Sequence, residues 1–136
     1  MDFNLKKMTT NNSNKSLKEA AMDFLRLASS GDVRKAYELY VARDFKHHNP
    51  YFEGDRESLL KGMEDAAKLN PNKEFKMFRA LQDGDFVAVH SRVIQTFLQS
   101  PISVVHIFRF TRNQIVELWD NIMPQPEDMI NENGLF

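Results

Sequence analysis

The stretch SVVHIFRFTRNQIVELWDNI, residues 103–122, reads as two strands joined by a tight turn. Ser103–Phe110 and Gln114–Ile122 both alternate with a period of two, and one parity collects Val104, Phe108, Phe110, Val116, Leu118 and Ile122. His106 and Asp120 fall on that same apolar parity. An imidazole and a carboxylate are costly to bury on an apolar sheet face unless they pair, and such pairs recur at sites of proton transfer. The connection Thr111-Arg112-Asn113 suits a three-residue loop with a bulge, because Asn tolerates the left-handed conformation such a loop requires. That loop sets Arg109 opposite Glu117 and His106 opposite Asp120. A two-residue loop would instead slip the strand by one residue and send His106 and Asp120 to opposite faces.

Upstream of this hairpin the period of two continues through Glu74–Leu81 and Asp85–Phe97, with turn signals at Asp83-Gly84 and Ser100-Pro101. Before Lys73 the period is helical. Ser16-Leu-Lys-Glu19 forms a capping box ahead of a helix whose inner face is Leu17, Ala20, Ala21, Phe24, Leu25 and Ala28, stopped at Gly31. Asp32 can cap a second helix with Val33, Ala36, Tyr37 and Tyr40 on its apolar side. Phe45 to Phe52 breaks the pattern, since His48-Asn49-Pro50 cannot continue a helix, and it reads as a short strand and loop. Gly54-Asp55 starts a third helix facing inward through Leu59, Leu60, Met63, Ala66 and Ala67, ended by Asn70-Pro71. Three helices followed by a strand meander predict an α+β fold, with the helices covering one face of an antiparallel sheet. Residues 16–136 read as one domain behind a loose polar leader, 1–15. The other face of the last hairpin, Val105, Ile107, Ile115 and Trp119, is too apolar to leave wet. A second copy of the chain, making a homodimer, or else the C-terminal tail, should cover it.

Composition narrows the function. A net charge of −1 gives no basic field for nucleic acid or an anionic membrane surface. The lack of cysteine excludes disulfides, thiolate nucleophiles and cysteine metal sites, and fits a reducing, cytoplasmic setting. No apolar run approaches a membrane span, and Met1–Lys15 lacks the apolar segment of a secretory signal. Eleven Phe and seven Met suit either a bulky core or an apolar pocket.

A sheet closed by helices makes such a pocket, and Asp120 is the best candidate within it for a general acid or base. His106 could orient it, share its proton or act as the partner acid. In His47-His48-Asn49 adjacent side chains point to opposite sides, so one histidine enters the pocket, with Asn49 near its mouth. A metal held by His48, His106 and Asp120 has no ligand spacing behind it, and neither metal nor cofactor is expected. The faces of His90 and Arg92 are left open. No phosphate loop, nucleophile elbow or zinc helix motif is present.

The residues carry a resemblance. His48-Asn-Pro50 followed by Glu53-Gly-Asp-Arg-Glu57, then Val105-His-Ile-Phe-Arg-Phe110, Gln114-Ile-Val-Glu-Leu-Trp-Asp120 and the ending Asn131-Glu-Asn-Gly-Leu-Phe136 resemble the SnoaL-like polyketide cyclases of the nuclear-transport-factor-2-like superfamily. The matches run from about the first helix to the C-terminus. The resemblance implies a cone of helices wrapped by a curved sheet (a cystatin-like α+β roll), usually a homodimer. It implies cofactor-free ring closure by intramolecular aldol condensation on an apolar carbonyl compound, with an aspartate as acid and base. Asp120 matches that aspartate, His106 the polar residue facing it, and His48 with Asn49 the pocket mouth; Trp119 is carried along as a substrate contact. Two positions depart from the pattern: Asn113 replaces a glycine in the hairpin, and Leu118 replaces a histidine beside the site. A non-catalytic small-molecule binder and a dimeric scaffold are the alternatives on the same fold.

Overall fold

The computed structural model describes residues 15–97 and 100–136. The leader expected over residues 1–15 therefore lies outside the described residues except for Lys15, whose ammonium pairs with Asp23 at 3.0 Å. Helix α1 (Leu17–Ser29) begins where the Ser16 hydroxyl accepts from the Glu19 N–H at 3.1 Å, and it buries Ala20, Ala21, Phe24, Leu25 and Ala28. Gly31, at φ +100°, turns the chain into α2 (Val33–Tyr40), which buries Val33, Ala36, Tyr37 and Tyr40. These are the faces the helical periods select. Asp32 stands at the start of α2 but makes no side-chain capping bond.

Strand β1 (Val41–His47) follows α2 directly, four residues earlier than the Phe45 break suggests. Helix α3 (Arg56–Leu69) comes next, then β2 (Glu74–Asp83), β3 (Phe86–Ile94), β4 (Ile102–Thr111) and β5 (Gln114–Pro124). The sheet order is β1-β5-β4-β3-β2. β2 to β5 form the antiparallel meander, but β1 joins β5 in parallel, so the sheet is mixed rather than wholly antiparallel. A parallel neighbour needs a long crossover, which α3 and three intervening strands supply. Pairing of Val41 with Ile115 is what draws β1 back to Val41. β3 stops at Ile94 instead of Phe97 because its partner begins at Glu74, opposite Ile94.

Hairpin β4–β5 has the expected register by a different device. His106 pairs with Asp120 and Arg109 with Glu117. The turn, however, has two residues, Arg112 and Asn113, at φ 53° and 64°, between paired Thr111 and Gln114. One extra residue, Val116, then bulges out of β5 between the pairs Phe110–Ile115 and Arg109–Glu117. The bulge resets parity, so Ile115 is fully buried in the core and Val116 is not, the reverse of the expectation for that pair. Ile122 keeps its inward parity, opposite Val104 and in the wall of the cleft, but is 56% exposed near the end of the sheet.

The core sits between the helices and the concave sheet face. Phe24 packs its ring against Tyr37 at 5.6 Å and edge-on to Phe108 at 5.8 Å, with Val87, Val89, Phe110 and Ile115 around them. The opposite sheet face carries Phe86, Ala88, His90 and Arg92 on β3, which settles the direction of the last two: Phe86 pairs with Arg109 and His90 with Val105. There the C-terminal Phe136 stacks on Phe78 at 5.2 Å and on His90 at 5.8 Å, so the tail covers part of this face. Among the described residues no helix is long and apolar enough to cross a membrane.

Candidate functional site

The concave face opens into a cleft with two lobes whose walls share Met63, Ala66 and His106. One lobe, of about 220 Å³, is lined by Phe24, Asn49, Phe52, Leu59, Gly62, Leu118 and Asp120 besides the shared residues. The other, of about 250 Å³, lies between α1, α3 and the far ends of β2, β3 and β4. Together they reach the size of small-molecule pockets, roughly 300–1,000 Å³. The mostly apolar walls carry a few polar groups.

His106 and Asp120 both face the first lobe because register-paired residues share a sheet face. They make no direct hydrogen bond. Asp120 Oδ2 instead accepts from Asn49 Nδ2 at 2.9 Å, and its other oxygen carries no hydrogen bond among the described residues. His106 Nδ1 is buried without a partner. Burial pushes the His106 pKa down to about 4; Asp120 opposes the shift and Lys73 adds to it. The ring is therefore uncharged at neutral pH.

The segment after β1 supplies Asn49. Alternation along β1 buries Phe45 and His47, so His47 is the inward histidine, at 5% exposure. His47 Nδ1 accepts from the Asn49 N–H at 3.1 Å, which places the ring proton on Nε2, and that atom has no partner. The Asn49 side-chain oxygen accepts from the Tyr51 N–H at 3.0 Å, a short local turn that presents the amide nitrogen to Asp120. Burial, ahead of the opposing pull of Asp120, lowers the His47 pKa. The loop then lays Phe52 over Gly62 so closely that a Cβ at Gly62 would collide with the ring.

Two expectations for the site are corrected. His48 does not line the cleft: it points to the outer face, where its ring stacks on Trp119 at 5.0 Å and its Nε2 lies 2.6 Å from Glu117. Trp119 lies outside as well, opposite Ile107, because it is adjacent to inward Asp120 in a regular strand. A metal site from His48, His106 and Asp120 is consequently not assembled, since the sheet separates the first from the other two. His48 belongs instead to a charged cluster around Glu117, which Arg109 meets at 3.0 Å and Lys46 at 3.8 Å. Burial raises the Glu117 pKa, but His48 and Arg109 outweigh it and hold the carboxyl below its usual range. Leu118, where a histidine was expected from the family pattern, is buried in the wall of the Asp120 lobe. Sequence reasoning admitted one of His47 and His48 to the pocket but carried His48 forward, and it missed Lys73; the parities of Phe45 and Phe75 bear on both.

Residues 21–118 match the family model described as the SnoaL-like domain. No sequence among curated proteins matches the chain significantly. Among solved structures, a cystatin-fold protein from Novosphingobium aromaticivorans is 20% identical, with a TM-score of 0.69 over 79% of this chain and 99% of that one. IdmH from Streptomyces antibioticus, a candidate polyketide cyclase, is 18% identical, with a TM-score of 0.68 over 79% and 92%. AclR from Streptomyces galilaeus, a candidate hydroxylase, is 20% identical, with a TM-score of 0.68 over 79% and 88%. At such identities the likeness establishes the fold, and the differing names show that the fold alone does not choose a reaction.

Proposed function

The chain belongs to the SnoaL-like family, and on that premise we propose that its cleft performs cofactor-independent acid/base chemistry next to a carbonyl, an aldol condensation or cyclisation of an apolar small molecule. The observation that carries this reading is the shared cleft of Asp120 and His106, with Asn49 fixing one carboxylate oxygen. Asp120 takes a proton from the carbon alpha to the carbonyl through its other oxygen. The resulting enolate oxygen accepts a hydrogen bond from the neutral His106 ring, a donor already in place in a mostly apolar cleft. The enolate carbon then bonds to a second carbonyl carbon of the same molecule. Protonated Asp120 returns its proton to the new alkoxide, so the carboxylate is regenerated and nothing else is consumed. Asn49 keeps the carboxylate aimed throughout, and His47 in turn holds Asn49 through its backbone.

Asp120→Asn tests the assignment, because the amide keeps the shape and hydrogen bond but cannot take the proton. Solvent-deuterium exchange into candidate ketones, or aldol turnover, should fall by about 10²-fold or more. Undiminished turnover in the variant would remove Asp120 from the reaction. Leu118 favours a second reading, a binder without turnover, since it removes a polar group from the wall. A ketone that binds but exchanges no protons in the unaltered protein selects that reading.

We further propose a homodimer through the part of the outer sheet face that the tail leaves open, around Phe86, Ile107, Trp119 and Asn121. A cytoplasmic setting suits both readings.

A further inference from the structure

The second lobe of the cleft has a charge that the proposed reaction does not use. Lys73 lies in its wall, just before β2, in a turn closed by its own N–H on the Asn70 carbonyl at 3.3 Å. The pair Phe75–Val93 faces the core side, and Glu74–Ile94 is the last pair of the β2–β3 hairpin. Lys73 and Gln95 are the next residues on the inward parity, at the frayed end of the ladder, and both line the lobe. Lys73 forms no ion pair or hydrogen bond through its ammonium among the described residues, and neither does Gln95 through its amide. The remaining walls are Leu25, Phe75, Ile102, Val104 and other apolar groups, together with Ser29, whose hydroxyl donates to the Arg26 carbonyl, and His106 at the junction to the Asp120 lobe. Among the described residues no aspartate or glutamate lines this lobe. A cation in an apolar hollow without a counter-charge is poorly solvated and is relieved by an anion brought in with a ligand.

We propose that this lobe receives the carboxylate of an otherwise apolar ligand, with Lys73 as its counter-ion and Gln95 as a neutral donor. One cation matches a monoanion; a phosphate dianion would leave charge uncompensated among the apolar walls. The inference rests on the reading of the cleft as a small-molecule site, not on turnover. It gives the proposed substrate a direction: its carboxylate lies against Lys73 and its reacting carbonyl beyond His106, beside Asp120. Burial lowers the Lys73 pKa, consistent with an ammonium that has no partner among the described residues.

Octanoate and octanamide, equal in length and differing in charge, test it by calorimetry and by shifts of the lobe's methyl resonances in the full chain. Octanoate should bind about tenfold or more tightly than octanamide, the usual scale of a charge-assisted hydrogen bond. Lys73→Met keeps the stem and removes the charge, so it should abolish that preference while leaving octanamide binding intact, which also reports that the variant is folded. Equal affinity for the two probes in the unaltered protein overturns the anion site and leaves the pocket standing. A preference that survives in Lys73→Met assigns the charge elsewhere and overturns it too. If neither probe binds, the anion site falls together with the small-molecule reading of this lobe.

Discussion

His106 shows how one side chain can serve the site at a cost to the fold. Burial disfavours the charged ring and pushes its pKa down to about 4, against an ordinary value of 6.5, with Asp120 compensating only in part. Between those two pH values the unfolded chain binds a proton that the native ring refuses. Stability therefore falls as pH drops through the window and levels off below about pH 4, where both states are protonated. The contribution is up to about 3 kcal/mol. Urea unfolding at pH 7, 5 and 4 should show a shallower loss for His106→Gln than for the unaltered chain, and parallel curves would contradict the burial argument. A neutral ring with so low a pKa is neither an acid at neutral pH nor a strong base, so Asp120 both takes and returns the proton in the proposed reaction while His106 donates a hydrogen bond. The two groups were legible as a pair from the spacing of residues 103–122. Asn49 as the direct partner of Asp120 was not, since that contact spans seventy-one positions of sequence.

At the scale of the element, the β4–β5 hairpin is where sequence reading and structure meet most instructively. Register followed from matching Arg109 with Glu117 and His106 with Asp120, and both pairs form. The turn type did not follow, because a three-residue loop and a two-residue turn with a bulge at Val116 both supply the one extra residue the register needs. The price of the observed solution is a pair of side-chain-bearing residues, Arg112 and Asn113, in the left-handed region. Replacing them by the turn pair such hairpins favour, Arg112→Asn with Asn113→Gly, should stabilise the chain by about 1 kcal/mol and raise its Tm by several degrees. An unchanged or lowered Tm in thermal unfolding would mean the turn is not strained as described. The bulge also explains the exchanged places of Ile115 and Val116: an extra residue in one strand inverts the parity of everything between it and the turn.

On the scale of the whole molecule, the outer sheet face decides assembly. Phe136 covers Phe78 and His90, and His48 covers one side of Trp119, so what remains for a partner copy is the ground around Phe86 and Ile107. Sedimentation should give a dimer for the unaltered chain and a monomer for Ile107→Glu, a change on the face away from the cleft. A monomer for the unaltered chain across micromolar concentrations would refute the proposed interface. The sequence by itself determined the three helices, the buried faces of the first two, the meander, the α+β class and the placing of His106 with Asp120; of the inward face expected for the third helix only Leu59 and Leu60 are buried. All of these depend on periodicity within a segment or on pairing across one short turn, and such signals are local. Only the tertiary structure decided that β1 lies parallel to β5, that His47 rather than His48 turns inward, that Trp119 lies outside the cleft, and that Lys73 stands alone in its second lobe. A period of two says which residues share a face but not which face is inside. That phase is set by partner strands, bulges and helices brought from far along the chain.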